Sequence, residues 1–194
     1  MTQALEQRTY TDEEYLNIEV TSEERHEYVN GEIRLMTGGT PNHNDIAGNL
    51  YVLLKLALKG KPYRTFYADQ RLWIADRNLY TYPDVMVVPR PLQLQIGRND
   101  TITNPVMIAE VLPKSTQDYD RGEKFVAYRT IDSFCEYLLI DQYSFMLNTI
   151  SRLRRINGYF QNTKIPQLHY LSMLLIFKFK LLKFMKASIL MLEI

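Results

Sequence analysis

Two short apolar runs in the middle of the chain, DVMVV at 84–88 and PVMIAEVL at 105–112, constrain the fold most, because each contains one acidic residue. Runs that are apolar at nearly every position and rich in Val, Ile and Met are typical of strands in a sheet that is covered on both faces. A carboxylate buried in such a strand is strongly unfavourable unless a cation, hydrogen-bond donors or a raised pKa compensates for it. Asp84 and Glu110 are therefore the first candidate site residues.

The order of helical and extended patterns around these runs predicts the fold class. A short helix capped by Thr11 precedes the stretch EYVNGEIRLM, which has strand character around an Asn-Gly turn, and a long helix begins at Asn44 and stops at Gly60. Further predicted elements are strands at 63–74, 80–88 and 106–112, a helix from a capping box at Asp120 through Ile131, and the strand EYLLID. This order predicts one α/β (α+β) domain.

The two acids are suited to metal chemistry. Mg²⁺ (or Mn²⁺) prefers hard oxygen ligands and takes one or two carboxylates together with water and a substrate phosphate. A metal held by Asp84 and Glu110 would activate water and neutralise charge on a phosphodiester, and Lys124, at the start of the next predicted helix, is the candidate for orienting that water or stabilising the phosphate. The alternatives are paired structural acids at strand ends and an ordinary solvated lysine.

Several stretches resemble one family in the order in which they occur between about residues 10 and 143: YVNGEI, GGTPNHNDIAGNL, DQRLWI, LYTYPDVMVV, IAEVL and YDRGEKFVAYRTI. They resemble the Uma-two family of restriction-endonuclease-like proteins, in the PD-(D/E)XK nuclease superfamily. The resemblance implies a restriction-endonuclease-like core in which helices flank a central mixed β-sheet. It also implies metal-dependent cleavage of nucleic acid, with the acidic site centred on Asp84 and Glu110.

One position departs from the superfamily pattern. That pattern places a lysine two residues after the second acid, where this chain has Leu112. In the resembled family the position is usually apolar as well, and a lysine in the next helix, here Lys124, is the proposed substitute. The departure leaves a second hypothesis open, a catalytically inactive nucleic-acid-binding or assembly module on the same fold.

Three further residues are accessory candidates. Glu27 lies on the first predicted strand and His43 at the start of the long predicted helix, and either could reach the acids, although a lone His at a helix start more often caps or packs. Gln70 is similar to a position of the family pattern, but DQRLWI also has the pattern of an amphipathic strand.

Basic residues concentrate around the end of the long predicted helix and the strand after it: Lys55, Lys59, Lys61, Arg64 and Arg71. Such a cluster is suited to contact phosphates, which would make nucleic-acid affinity depend on salt. The alternative is a solvated helix end, where basic residues are favourably placed against the helix dipole.

The composition changes abruptly near residue 145. Between 144 and 192 there are eight Lys or Arg residues and no Asp or Glu. Codons can be chosen for these residues such that translation shifted by one base gives peptide sequences with strand-like alternation. The codons of Met185-Lys186 must contain ATGAA, and the shifted reading of ATGAA contains GAA, a Glu codon. We therefore predict a frameshift near Phe145, with 1–145 a restriction-endonuclease-like domain that is incomplete at its C-terminal end and 146–194 an out-of-frame tail. We expect no well-packed structure for most residues beyond Gly158.

The cysteine content and the hydropathy pattern predict the cellular location of the protein and its relation to membranes. A single cysteine, Cys135, excludes an intramolecular disulfide and leaves too few thiols for a cysteine-based zinc site, which suits a reducing cytoplasm. No uncharged run reaches the ~20 residues of a membrane span, so we predict no membrane partner, with a basic amphipathic membrane helix in the tail as the alternative. The predicted partner is nucleic acid, DNA in particular, and a homodimer is compatible with the sequence.

Overall fold

The computed structural model describes residues 8–112, 120–143, 147–151, 153–156 and 159–162. Within these ranges ten strands form two five-stranded sheets, and two more form a hairpin. Sheet 1 has the strand order β2-β1-β5-β4-β7, and sheet 2 has the order β10-β9-β8-β6-β3. Both sheets are mixed, because β4 and β7 pair in parallel in sheet 1 and β8 and β9 pair in parallel in sheet 2.

The strands of sheet 1 are β1 (His26–Val29), β2 (Glu32–Leu35), β4 (Arg71–Ile74), β5 (Leu79–Thr81) and β7 (Thr101–Ile102). Those of sheet 2 are β3 (Tyr63–Tyr67), β6 (Val85–Pro89), β8 (Met107–Leu112), β9 (Glu136–Asp141) and β10 (Leu147–Ser151). The hairpin consists of β11 (Leu153–Ile156) and β12 (Tyr159–Asn162), and the α-helices are α1 (Asp12–Thr21), α2 (Pro41–Ala57) and α3 (Phe125–Tyr128).

Sheet 2 lies in the middle of the core. On one face, apolar residues of α2 share a buried cluster with alternate residues of β8, namely Met107, Ala109 and Val111. On the other face, Ile108 and Leu112 share a cluster with residues of sheet 1 and with α3. All six residues of β8 are buried, as its nearly continuous apolar sequence predicts.

Local sequence signals explain several element ends. Thr11 caps α1 in a capping box with Glu14, and Thr40 caps α2, whose first residue is Pro41. Asn30 and Gly31, with φ values of 54° and 100°, make the tight turn between β1 and β2. Positive φ at both positions suits the right-handed twist of a hairpin, as the Asn-Gly sequence predicts.

The predicted fold class is confirmed, and three predicted elements are corrected. The runs at 63–74 and 80–88 are each divided between the two sheets. The first breaks at Ala68, whose φ of 54° is outside the strand region, and the second breaks at Pro83, which has no N–H to donate to a ladder. The predicted helix from Asp120 opens instead as a π-helical turn, Asp120–Lys124, and continues as α3. Gly122 lies within this turn and weakens the preference for a regular α-helix.

The C-terminal prediction concerns residues that are mostly outside the described ranges. Leu147–Ser151 pairs antiparallel with β9, and residues 163–194 are not among those described. The frameshift and the division at residue 145 therefore remain predictions, which the nucleotide sequence around the codons of Phe145 and Met146 would test. In the described part of the chain, no helix has the length and apolar character needed to cross a membrane.

Candidate active site

Asp84 and Glu110 lie side by side at the end of the β6–β8 ladder. Val85 pairs with Ala109, so the next position along brings Asp84 opposite Glu110. The Asp84 backbone N–H donates to Oε2 of Glu110 at 3.2 Å, and the Val111 backbone N–H donates to Oδ2 of Asp84 at 2.8 Å. Each strand therefore fixes the carboxylate of the other.

The Glu110 carboxylate is buried and has two further polar neighbours, one from the π-helical turn and one from α3. The Tyr128 hydroxyl donates to Oε1 at 2.7 Å, and the Lys124 ammonium is 3.5 Å from the same oxygen. Burial, together with the nearby negative charge of Glu110, raises the pKa of Tyr128 well above its ordinary value. Tyr128 therefore remains a hydrogen-bond donor to this carboxylate across the physiological pH range.

Lys124 also contacts a second acid, Glu27, and thereby connects the two sheets. Its Nζ is 3.0 Å from Oε1 of Glu27, and the side chains of both residues are 8% exposed. The register of β1 and β5 puts Glu27 next to Thr81, whose hydroxyl also donates to Oε1 of Glu27. A buried ammonium between Glu27 on sheet 1 and Glu110 on sheet 2 offsets the cost of burying both carboxylates.

His43 contacts the other acid from the first turn of α2. Its Nε2 is 3.1 Å from Oδ2 of Asp84, which accepts the Nε2 proton. Burial alone lowers the pKa of His43, but the hydrogen bond and negative charge of Asp84 outweigh burial, and the net pKa is raised. Gly39 lies against the imidazole, since a Cβ there would be 2.5 Å from Nδ1.

The start of α2 is itself held against β8. Thr40 caps the helix by accepting from the His43 backbone N–H and donates its own hydroxyl proton to Oε1 of Gln142 at 2.7 Å. The amide of Gln142 in turn donates to the Leu112 carbonyl at 3.1 Å. This chain of bonds links the position of His43 to the strand that carries Glu110.

Five of the six predicted site residues therefore come together: Glu27, His43, Asp84, Glu110 and Lys124. We call this set the acidic site. Gln70 takes part in different hydrogen bonds, since its amide donates to the backbone carbonyls of Asp100 and Arg71. Tyr128 and Thr81 were not predicted as partners of the acids, although the spacing of four residues between Lys124 and Tyr128 indicated one shared helix face.

A second ionic cluster lies on sheet 1, and we call it the Asp100 cluster. Arg98 donates to both oxygens of Asp100, at 2.8 and 2.6 Å, and Arg71 donates to Oδ2 at 2.7 Å. The Thr101 hydroxyl adds a bond to Oδ1 at 2.9 Å. Arg71, which the sequence grouped with the bases near the end of α2, is instead 6% exposed and paired here.

The acidic site offers two carboxylates, Asp84 and Glu110, to a cation. Among the described residues, no group of three or more His, Cys, Asp or Glu side chains is arranged to hold a metal. Two carboxylates are nevertheless within the range that Mg²⁺ takes, because water and phosphate oxygens supply its other ligands. The donor set therefore fits Mg²⁺ or Mn²⁺ better than a zinc site with three or four protein ligands.

The fold resembles that of a solved structure. A "putative nuclease belonging to DUF820" from Anabaena variabilis ATCC 29413 superimposes with a TM-score of 0.56 and 15% sequence identity. The likeness covers 75% of this chain and 88% of the other. At this identity the match is evidence of fold alone, and it places the chain in the class of mixed α+β proteins.

The sequence comparisons give the family. The model of the Uma2 family, described as "Putative restriction endonuclease", matches residues 12–182. Two uncharacterized proteins of Synechocystis sp. (strain ATCC 27184 / PCC 6803 / Kazusa) are similar over 132 residues, or 68% of this chain. The protein sll1609 is 42% identical over 75% of its own length, and slr1290 is 37% identical over 68%. The chain therefore belongs to the Uma2 family.

Proposed function

We propose that this protein is a metal-dependent endonuclease that hydrolyses phosphodiester bonds of nucleic acid, DNA in particular, with Asp84 and Glu110 as ligands of Mg²⁺ or Mn²⁺. The observation that carries the proposal is the pair of reciprocal hydrogen bonds that sets the two carboxylates side by side, next to a buried lysine. Membership of a family described as "Putative restriction endonuclease" supports the same reaction class.

Each residue of the acidic site has a defined part in this proposal. When bound, the metal supplies a water of lowered pKa and neutralises charge on the phosphate. Asp84 and Glu110 hold it, and the backbone N–H groups of Asp84 and Val111 keep the two carboxylates in place before any ligand arrives. Such preorganisation lowers the cost of assembling the charged site during the reaction.

The remaining residues orient the acids or provide positive charge. His43 holds the Asp84 carboxylate through Nε2, and Tyr128 holds the Glu110 carboxylate through its hydroxyl. The Lys124 ammonium lies beside Glu110 in a water-poor environment, where a fixed charge stabilises a negatively charged phosphate more strongly than it would in water. We assign Lys124 to that role in catalysis.

A second candidate function is a nucleic-acid-binding or assembly module that does not cut. Leu112 occupies the position two residues after Glu110, and it is fully buried in the core. The ammonium nearest to Glu110 comes from Lys124, which also contacts Glu27. If substrate binding does not redirect Lys124 from these acids, the chain would bind metal and nucleic acid without efficient hydrolysis.

Metal titration and cleavage assays separate the two functions. We expect Asp84→Asn and Glu110→Gln each to weaken Mg²⁺ or Mn²⁺ binding and to reduce cleavage of plasmid and oligonucleotide DNA by more than about 100-fold. Asp76→Asn, which removes an exposed carboxylate outside the site, is the matched control and should leave both unchanged.

Two results would redirect the assignment. If both site variants bind metal as well as the unaltered chain, the metal ligands are misassigned. If the unaltered chain binds metal but cuts no DNA or RNA tested, the non-cutting module becomes the better description.

A further inference from the structure

A groove of about 840 Å³ lies between the end of α2 and strand β3. Strand β3 is at one end of the strand order of sheet 2, so the groove follows the edge of that sheet. Five basic residues line it, and none of its described lining residues is Asp or Glu. The basic residues are Lys55, Lys59, Lys61, Arg64 and Arg90.

These bases come from three separate elements. Lys55 is in the last turn of α2 and Lys59 follows that helix, so the helix dipole accounts for their position. It does not account for Arg64, which is on β3, or for Arg90, which follows β6. The three elements converge on one groove, and the side chains of Lys55, Lys59, Arg64 and Arg90 are exposed. The solvated helix end that the sequence left open is therefore an incomplete explanation.

Aromatic rings line the groove together with the bases, with Arg64 and Phe66 on one face of the edge strand β3 and Tyr67 on the other. The Tyr67 ring packs against Tyr51 with 5.8 Å between centroids, yet Tyr67 remains 39% exposed. Lys55 donates to the Tyr51 hydroxyl at 2.7 Å, and the Arg64 guanidinium lies 4.9 Å from the centre of the Phe66 ring. Positive charge for phosphates interleaved with rings for stacking is typical of surfaces that bind single-stranded nucleic acid.

One end of the groove reaches the acidic site through the backbone. Tyr67 pairs with Val85 in the β3–β6 ladder, and the next residue, Ala68, donates its N–H to the Asp84 carbonyl at 3.0 Å. Neighbouring strands are about 4.8 Å apart, so the backbone at the Tyr67 end of the groove is about one strand spacing from the backbone of residue 84. At the other end of β3, Tyr63 pairs with Pro89, close to Arg90.

We propose that this groove binds an unpaired strand of DNA and leads it to Asp84 and Glu110. The bases of the groove contact the phosphates of the strand, and the exposed ring of Tyr67 stacks on a nucleobase near the acidic site. A paired duplex keeps its base faces stacked inside the helix, so the aromatic part of the groove selects the unpaired strand. This inference rests on the proposed function for its substrate class, but strand binding itself requires neither metal nor cleavage.

Fluorescence anisotropy on the full chain in EDTA tests the groove without cleavage. The probes are labelled oligothymidine of about 20 nucleotides, longer than the sites of most single-strand-binding folds, and a duplex of the same length. We expect tighter binding of oligothymidine than of duplex. The double variant Lys59→Gln/Arg64→Gln should weaken it about tenfold or more and lower the slope of log K against log salt by about 1.4, since each lost phosphate contact contributes about 0.7.

Two matched variants make the result specific. Arg8→Gln/Arg77→Gln removes the same charge from exposed residues outside the groove and should change affinity by less than about twofold. Tyr67→Leu should reduce oligothymidine binding about fivefold or more, because one stacking contact is lost, with little effect on the duplex.

The outcomes keep this inference distinct from the proposed function. Absence of oligothymidine binding, equal losses in the two charge variants, or tighter binding of duplex would overturn the groove proposal whatever the cleavage assays show. If the groove variants lose strand binding as expected while Asp84→Asn and Glu110→Gln bind metal normally, the groove proposal stands and the assignment of Asp84 and Glu110 as metal ligands is overturned.

Discussion

The acidic site and the Asp100 cluster both bring acidic and basic side chains together, but they differ in the ratio of acids to bases. In the Asp100 cluster, two guanidinium groups and a hydroxyl converge on one carboxylate. In the acidic site, within the described ranges, three carboxylates are grouped with one ammonium and one imidazole. The first arrangement supplies an excess of donors, and the second an excess of negative charge.

Under the proposed function, this difference separates a structural ion cluster from a functional one. Asp100 has its lone pairs satisfied by fixed donors, so its charge contributes to folding. Asp84 and Glu110 are held next to each other by the β6–β8 ladder, so their mutual repulsion opposes folding in the absence of a bound metal ion. Crowded like charges of this kind are concentrated at functional sites. Removing a carboxylate should therefore have opposite effects on stability in the two clusters.

The largest expected effect concerns the cation that connects the sheets. Lys124→Ala removes the ammonium that lies 3.0 Å from Glu27 and 3.5 Å from Glu110. We expect the free energy of unfolding to fall by roughly 3–5 kcal/mol, the usual cost of removing one partner of a buried ion pair. Urea denaturation measures this loss.

The compensating variant is the control for this prediction. Glu27→Gln combined with Lys124→Ala removes one of the two carboxylates that lose their ammonium, so it should recover part of the lost stability. If Lys124→Ala is as stable as the unaltered chain, the ammonium does not hold the acidic site together, and the contrast with the Asp100 cluster is weakened.

The next effect in size is on the Asp100 cluster. The Arg98 guanidinium holds the pKa of the Asp100 carboxyl well below its usual range. Because Asp100 is 41% exposed, solvent screens the interaction, and we expect Asp100→Asn to lower the free energy of unfolding by about 1 kcal/mol at neutral pH.

The pH dependence of stability provides a further test of the role of Asp100. A depressed pKa in the folded state stabilises the protein above the unfolded pKa of about 3.9, and that stabilisation is lost as the pH falls towards the folded pKa. The loss of stability below about pH 4 should therefore be shallower in Asp100→Asn than in the unaltered chain. Denaturation at a series of pH values measures the slope, and identical slopes would show that Asp100 does not titrate with folding.

The smallest effect is that of Asp84→Asn, which should raise stability and not lower it. The Asn oxygen in Asp84→Asn can still accept from the Val111 N–H and from His43, while the repulsion with Glu110 is removed. We expect the metal-free variant to be as stable as the unaltered chain, or more stable by up to about 0.5 kcal/mol. Thermal melting in EDTA measures this change in stability. A loss of stability as large as that of Asp100→Asn would indicate that both clusters are structural.

Residue types and spacing predicted much of the acidic site. Asp84 and Glu110 were identifiable because an acid in an otherwise apolar strand requires compensation, and the structure provides it from backbone N–H groups, Tyr128, His43 and Lys124. Glu27 carries no such signal, because β1 is short and partly polar. Its position depends on how sheet 1 packs over sheet 2, which is a long-range property of the fold.

The division into two sheets was harder to predict. The runs at 63–74 and 80–88 have continuous strand character, but chain turns at Ala68 and Pro83 send their halves to different sheets. Pro83 is a visible break signal, whereas Ala68 has no sequence feature that indicates a positive φ. The position of Gln70 was unpredictable for the same reason, because the turn at Ala68 places its side chain next to the Asp100 carbonyl. The metal, the homodimer and the cytoplasmic setting remain predictions.

The reciprocal hydrogen bonds between β6 and β8 also give the protein two internal probes. The amide proton of Val111 is bonded to the Asp84 carboxylate, and the amide proton of Asp84 is bonded to the Glu110 carboxylate. The NMR resonances of these two amides should therefore shift whenever either carboxylate gains a proton or a ligand. Two peaks in a nitrogen–proton correlation spectrum therefore report which cations and phosphate compounds reach the site, without a cleavage assay.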